Sequence, residues 1–481
     1  MATSAQRVHP DQRRGTLTRG VLRNPLYHSG YALLANTAGT TALGIVYWAV
    51  AAHLYDRQTV GRSSALVAAL ILVSTFAQLN LGNTLPRFMP VSGRSAGKFI
   101  AYSYGASSLA ALFGGLAFVL VLPRLSSQWR FLGDSMPLTI MFVAAAIVWG
   151  VFALQDIALL SLRRPVLVPV ENFVYGVCKL LLLVGIAWLL PISGIFFSWV
   201  LPLAVTVPAV NWLIFRRYLQ ARAPAVAPSQ LSVRNVVRFA SVDYVGNVVG
   251  QAYGMLLPLL VLSTLGADAN GSFYIAWTIA AGLGLAAANF GTSLLVEGAA
   301  APDRLAELTR GVLFRCVLVT VLGAGVLALA ARPILRIYGA EYVHASSLLG
   351  LLAVGTIPSG LVVIAISLDR IAGQVGRATL TRLILALLVL GGSWMLVGKL
   401  GVDGVAFAWG GGNLLIALAR FPRIVGAIRE RAAPLRVVTP KPQPAVETES
   451  EARISLRWPG SHRRRAAGRH RLGGFRSNRP D

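Results

Sequence analysis

Lys179 stands near the centre of an apolar run from 167 to 190. With Glu171, Asn172 and Tyr175 it forms one polar stripe, spread over roughly 100° of a helix that turns about 100° per residue. An ion at membrane depth costs about 3 kcal/mol on insertion scales, so it faces a cavity or a partner. Two chemistries fit. Facing a cavity, Lys179 would hold a diphosphate or an acidic sugar; facing inward, it would pair with Asp156 or Glu171 and tie two helices together. Asp156, Glu171 and Asp243 are the acidic positions at which a coupling ion could bind.

A second stripe, Asp243, Asn247 and Gln251, repeats every four residues beside Gly246, Gly250 and Gly254. Small residues at this spacing let helices pack closely, and the polar stripe next to them also suits a cavity wall. The run 29–52 adds Asn36, Thr37, Thr40 and Thr41 and contains no acid. Arg87, Arg315 and Arg382 sit near the ends of apolar runs. Such arginines reach to headgroups by default, and each could instead meet a negatively charged substrate. Pro202, Pro208, Pro258 and Pro358 fall inside apolar runs, where each removes a backbone donor and bends a helix.

Composition dictates the elements that carry these residues. Of 481 residues, 55% are hydrophobic and 13% charged, about half the charge of a soluble surface. The bilayer is therefore the solvent for most of the chain. Both cysteines, Cys178 and Cys316, lie in apolar runs and form neither a disulfide framework nor a thiolate metal site.

Twelve windows are long enough to cross the ~30 Å hydrocarbon core. They cover 29–52, 63–85, 99–122, 137–161, 167–190 and 193–215, then 238–264, 272–296, 312–331, 346–368, 379–398 and 403–427. Arg7, Arg13, Arg14, Arg19 and Arg23 precede the first window, which reads as a retained helix and not as a signal peptide. Basic residues recur in alternate loops, at Arg163 and Arg164 and at Arg216 and Arg217, while 191–192 and 265–271 contain none. This bias predicts cytoplasmic termini.

The expected organisation is all-α: a basic N-terminus at 1–28, a six-helix bundle at 29–215, a cytoplasmic linker at 216–237, a second six-helix bundle at 238–427 and a basic tail at 428–481. The stretch beyond Pro422 holds 14 of the 44 Lys and Arg. Its low hydrophobicity predicts disorder, and its charge predicts contact with anionic membrane lipids. No aromatic interleaving or folded module points to nucleic acid.

The halves repeat. Asn36, Gly39, Gly61, Asn80 and Gly82 follow one another as Asn247, Gly250, Gly271, Asn289 and Gly291 do later, within a residue of the same spacing. Six spans per half imply parallel repeats about an axis along the membrane normal. With LNLGNTLPRFMP at 79–90, ADANGSFYIAWTI at 267–279, RIYGAEYVHASSLLGLLAVGTIP at 336–358 and GVDGVAFAWG at 401–410, residues 25–430 resemble the polysaccharide flippases. These belong to the multidrug, oligosaccharidyl-lipid and polysaccharide exporter superfamily.

The resemblance implies two bundles around a central cavity open alternately to each side of the cell membrane. It implies a polyprenyl-diphosphate-linked glycan as substrate and polysaccharide synthesis or polymerisation machinery as partner. The cation-coupled drug exporters of the same superfamily are the alternative. They often carry an acid in the first helix, which this chain lacks.

Enzyme readings fare poorly. GLGLAA at 282–287 lies mid-membrane with no strand before it, and GRSAGKF at 93–99 lacks the spacing of a phosphate loop. No cofactor is expected. A membrane glycosyltransferase or polymerase usually needs a substantial loop bearing paired carboxylates or an Arg–His set. The longest loop between the predicted spans is about 22 residues.

Overall fold

Within lipid, a backbone must satisfy its own N–H and C=O groups, which leaves helices as the outcome for long apolar runs. A computed structural model describes residues 25–219, 233–242 and 244–429, and every regular element among them is helical. All of these residues fall within one compact unit. The basic N-terminus before residue 25, most of the linker, Asp243 and the tail from residue 430 lie outside the described residues.

The first half runs α1 (Pro25–Leu54), α2 (Arg57–Ala77), α3 (Leu81–Phe88), α4 (Ala96–Leu125), α5 (Met136–Ser161) and α6 (Leu167–Ile186), then α7 (Gly194–Val200) and α8 (Leu203–Trp212). The second half runs α9 (Val233–Val242), α10 (Tyr244–Leu265), α11 (Ala267–Ala300), α12 (Leu305–Leu329) and α13 (Ala331–Arg336), then α14 (Ser346–Ile371) and α15 (Val375–Arg429). Among the described residues, ten helical segments are long and apolar enough to cross a membrane. The chain is an all-α, multi-pass membrane protein.

Two elements differ from the simple windows. The run read as 63–85 is a helix at Arg57–Ala77, a break at Leu79 and Asn80, and then the short α3. The apolar pattern continues past the break because α3 buries Leu81, Leu85 and Phe88 while leaving Asn83, Pro86 and Arg87 in the open. Hydropathy alone does not separate such an amphipathic turn from a span. Both break residues adopt positive φ, 49° at Leu79 and 58° at Asn80, a conformation that costs a non-glycine residue about 1–2 kcal/mol.

The other is α15. Its 55 residues would run about 80 Å at 1.5 Å per residue, far beyond one bilayer, and Gly401 interrupts it at φ 59°. That interruption falls in the gap between the windows 379–398 and 403–427. Pro202 divides α7 from α8 within the window 193–215.

The repeated glycines explain how the halves meet. A Cβ on Gly61 would lie 1.8 Å from the carbonyl oxygen of Ala267, and one on Gly271 would lie 2.5 Å from that of Arg57. Ala267 stands four residues before Gly271 and Arg57 four before Gly61, so the contact is reciprocal. Helices α2 and α11 thus cross backbone against backbone, each supplying the glycine that the other needs. The Asn270 amide locks the crossing, donating to the Gly61 carbonyl at 2.7 Å. Trp129 Nε1 donates to Ser263 Oγ at 2.9 Å near the same end.

Candidate substrate cavity

A cavity of about 470 Å³ lies between the halves, walled by α1, α2, α5, α6 and α7 of the first and by α10 and α11 of the second. Its polar positions are Thr40, Thr41, Asp156, Asn172, Lys179 and Thr278. Seven aromatic residues, Trp48, Trp149, Phe152, Tyr175, Trp199, Tyr274 and Trp277, share the remaining wall with aliphatic residues and glycines. The volume is in the usual range for small-molecule sites, roughly 300–1,000 Å³.

Lys179 is 7% exposed and bonds to no carboxylate. Its ammonium is surrounded by rings instead. Nζ lies 4.0 Å from the Trp199 ring centroid, 4.5 Å from that of Tyr47 and 5.5 Å from that of Tyr175. Of the two chemistries open in the sequence, the internal ion pair is therefore not what holds this lysine. A cation over an aromatic face is attracted by the ring quadrupole, more strongly where water is excluded.

The acidic residues divide. Asp156 lines the cavity and accepts a hydrogen bond from the Asn172 amide at 3.0 Å, while its other carboxylate oxygen is buried without a hydrogen-bond partner. Glu171 is 5% exposed, and neither of its carboxylate oxygens has a hydrogen-bond partner. It lines a separate apolar groove between α6 and α8. The Tyr104 hydroxyl is buried and unpartnered too, within electrostatic reach of both carboxylates.

The remaining sequence candidates lie elsewhere. Asn36 borders a shallow groove with Gly39, Thr40 and Phe173. Asn247 and Arg382 form a network toward the break after α2: Arg382 donates to Asn247 Oδ1 at 3.2 Å, and Asn247 donates to Asn80 Oδ1 at 3.1 Å. Asn80 donates in turn to the Ala240 carbonyl at 2.9 Å. Arg382 is thus half-buried and engaged by the protein. It passes against Gly250, where a Cβ would come within 3.0 Å of it, and it donates to the Gly246 carbonyl. These glycines admit an arginine side chain, whereas Gly254 borders the cavity itself.

Arg87 is exposed and stacks 4.5 Å from the Phe239 ring centroid. Gln251 and Arg315 are exposed and do not line the cavity. Asp243 lies outside the described residues.

Sequence reasoning found Lys179, Tyr175, Asn172 and Asp156 but missed the rings around them. Tyr47 and Trp199 belong to α1 and α7, more than a hundred residues apart. Only the packing of the first half brings them to Lys179. A density of Trp and Tyr within apolar runs was the available signal, and aromatic residues there more often belong to the core.

No family model matches the chain, and no curated protein is similar to it. Solved structures do match. An inward-facing multidrug resistance MATE family transporter of the MOP superfamily superposes with a TM-score of 0.61 at 14% identity, covering 82% of this chain and 96% of that one. A Vibrio cholerae MATE transporter gives a TM-score of 0.54 at 16% identity, with 84% and 96% covered. A MOP superfamily transporter from Pyrococcus furiosus, for which a binding pocket of reversed polarity suggests a different function, gives 0.57 at 12% identity, with 83% and 96% covered. The chain therefore has the fold of these MATE transporters.

Proposed function

We propose that the chain is a transporter that moves an anionic, lipid-linked oligosaccharide from the cytoplasmic to the outer leaflet of the cell membrane by alternating access. The observation that carries this reading is the cavity, with one lysine, one aspartate and several uncharged hydrogen-bonding groups set among aromatic rings. Aromatic faces stack on the apolar faces of sugar rings, and hydroxyl and amide groups bond their edges. The lysine gives the wall a positive charge for a diphosphate or an acidic sugar.

Buried carboxylates without partners are costly at membrane depth unless a proton or cation satisfies them. Asp156 and Glu171 are on that ground our candidates for ion coupling. The α2–α11 crossing and the Asn80–Asn247 network are the two gates, contacts that part in turn as the halves rock. Twelve spans and cytoplasmic termini complete the arrangement.

The drug-exporter reading draws on the structural neighbours described as multidrug transporters and on the aromatic wall. A deletion strain separates the two. Cytoplasmic-leaflet accumulation of lipid-linked glycan with loss of surface polysaccharide is the expected outcome. Unchanged surface glycan with raised sensitivity to cationic drugs would replace the flippase by the exporter.

A further inference from the structure

The cage around Lys179 is built independently of the lysine. The Tyr47 hydroxyl lies 2.6 Å from Ser198 Oγ and donates to the Ile195 carbonyl at 3.1 Å. The Tyr175 hydroxyl donates to the Trp199 carbonyl at 2.9 Å. The rings also brace one another. Tyr47 meets Trp199 edge-on at 6.1 Å, and Trp149 lies 5.4 Å from Trp199 and 5.9 Å from Tyr175. Each ring is thus held by bonds or ring contacts in which Lys179 has no part.

Three aromatic faces converging on one point form the arrangement that recognises quaternary ammonium groups. Here the point is taken by the chain's own ammonium, 4.0 Å from the nearest ring centroid. A tethered group competes at a high effective concentration. An incoming organic cation meets a filled cage and a like charge, whereas a neutral or anionic ligand meets neither obstacle.

We infer that Lys179 determines the specificity of the cavity by excluding organic cations, its own ammonium standing where theirs would bind. The inference rests on the cavity being the transport site, and it goes beyond the choice of glycan. Removing the lysine side chain leaves a preformed cage in a cavity that Asp156 also lines. The variant's wall then attracts what the native wall rejects.

The test is equilibrium dialysis of radiolabelled tetramethylammonium against the purified full chain in lipid nanodiscs. Lys179→Ala and Lys179→Ser are expected to bind it saturably, on the order of tenfold or more tighter than the native chain, as a desolvated cation–π contact implies. Lys179→Arg restores a tethered cation and is expected to bind as weakly as the native chain. Adding Trp199→Leu to Lys179→Ala should abolish the gain.

Equal binding by the native chain and Lys179→Ala overturns the inference. So does the absence of any gain in either small variant that elutes as a monodisperse protein. Because binding requires no transport, these outcomes are separate from the surface-glycan phenotype that tests the proposed function.

Discussion

At the scale of the residue, the cavity holds a lysine and an aspartate that do not pair with one another. Lys179 is satisfied by rings, and Asp156 by one amide with an oxygen left over. A positive wall group that aids an anionic ligand contributes chiefly to binding. Lys179→Ala should therefore lower export by about tenfold or more while leaving the amount of protein in the membrane unchanged, a charge-assisted contact being worth about 1.5–3 kcal/mol. Surface glycan per unit of membrane protein checks this, and native export by the alanine variant would remove Lys179 from substrate contact.

Asp156 serves a different step if it carries the coupling ion. Asp156→Asn keeps an oxygen to accept from Asn172 but cannot gain or lose charge. It should leave the fold intact and abolish gradient-driven uptake into inside-out vesicles. Uptake that still follows an imposed ion gradient would take coupling away from this position.

At the scale of the element, the structure turns on where helices break and where they touch. Helices α2 and α11 approach so closely at Gly61 and Gly271 that a methyl group would overlap backbone. Gly61→Val should cost at least the 1–3 kcal/mol typical of overpacking, lowering the thermal midpoint or preventing assembly. Gly82→Ala, with nothing within 4 Å of the added carbon, should leave the midpoint within about a degree. If both variants melt like the native chain, the crossing is looser than its geometry states.

Much of this framework was legible in the sequence. Two of the paired glycines, Gly61 and Gly271, are the ones at which α2 and α11 touch, and apolar windows located most helices. What escaped has a physical cause. The break at Leu79–Asn80 hides inside a continuous apolar pattern, because α3 is amphipathic and buries its leucines just as a span does. The stripe Asn172, Tyr175 and Lys179 could be read because its members share one helix. The rings that complete it could not, because they come from α1 and α7 through tertiary packing. Asn247 and Gln251 failed as cavity residues for the same reason: a stripe fixes a face of α10, and only the neighbouring helices decide what that face meets.

At the scale of the whole molecule, the function requires the two ends of the bundle to open to different compartments. The turn at Ser127 follows α4 and the turn at Asp303 follows α11, and both residues are exposed. The distribution of basic residues predicts that the first lies outside the cell and the second inside. Both native cysteines lie in membrane helices and can be replaced first, Cys316 being buried and Cys178 half-buried. In that background, Ser127→Cys should react with an impermeant maleimide added to intact cells, whereas Asp303→Cys should react only after permeabilisation. Labelling of Asp303→Cys in intact cells, with Ser127→Cys silent, would invert the molecule. A substrate moving outward would then have to enter past the Gly61–Gly271 crossing and leave past the Asn80–Asn247 network. That would exchange the two gates while leaving the cavity between them unchanged.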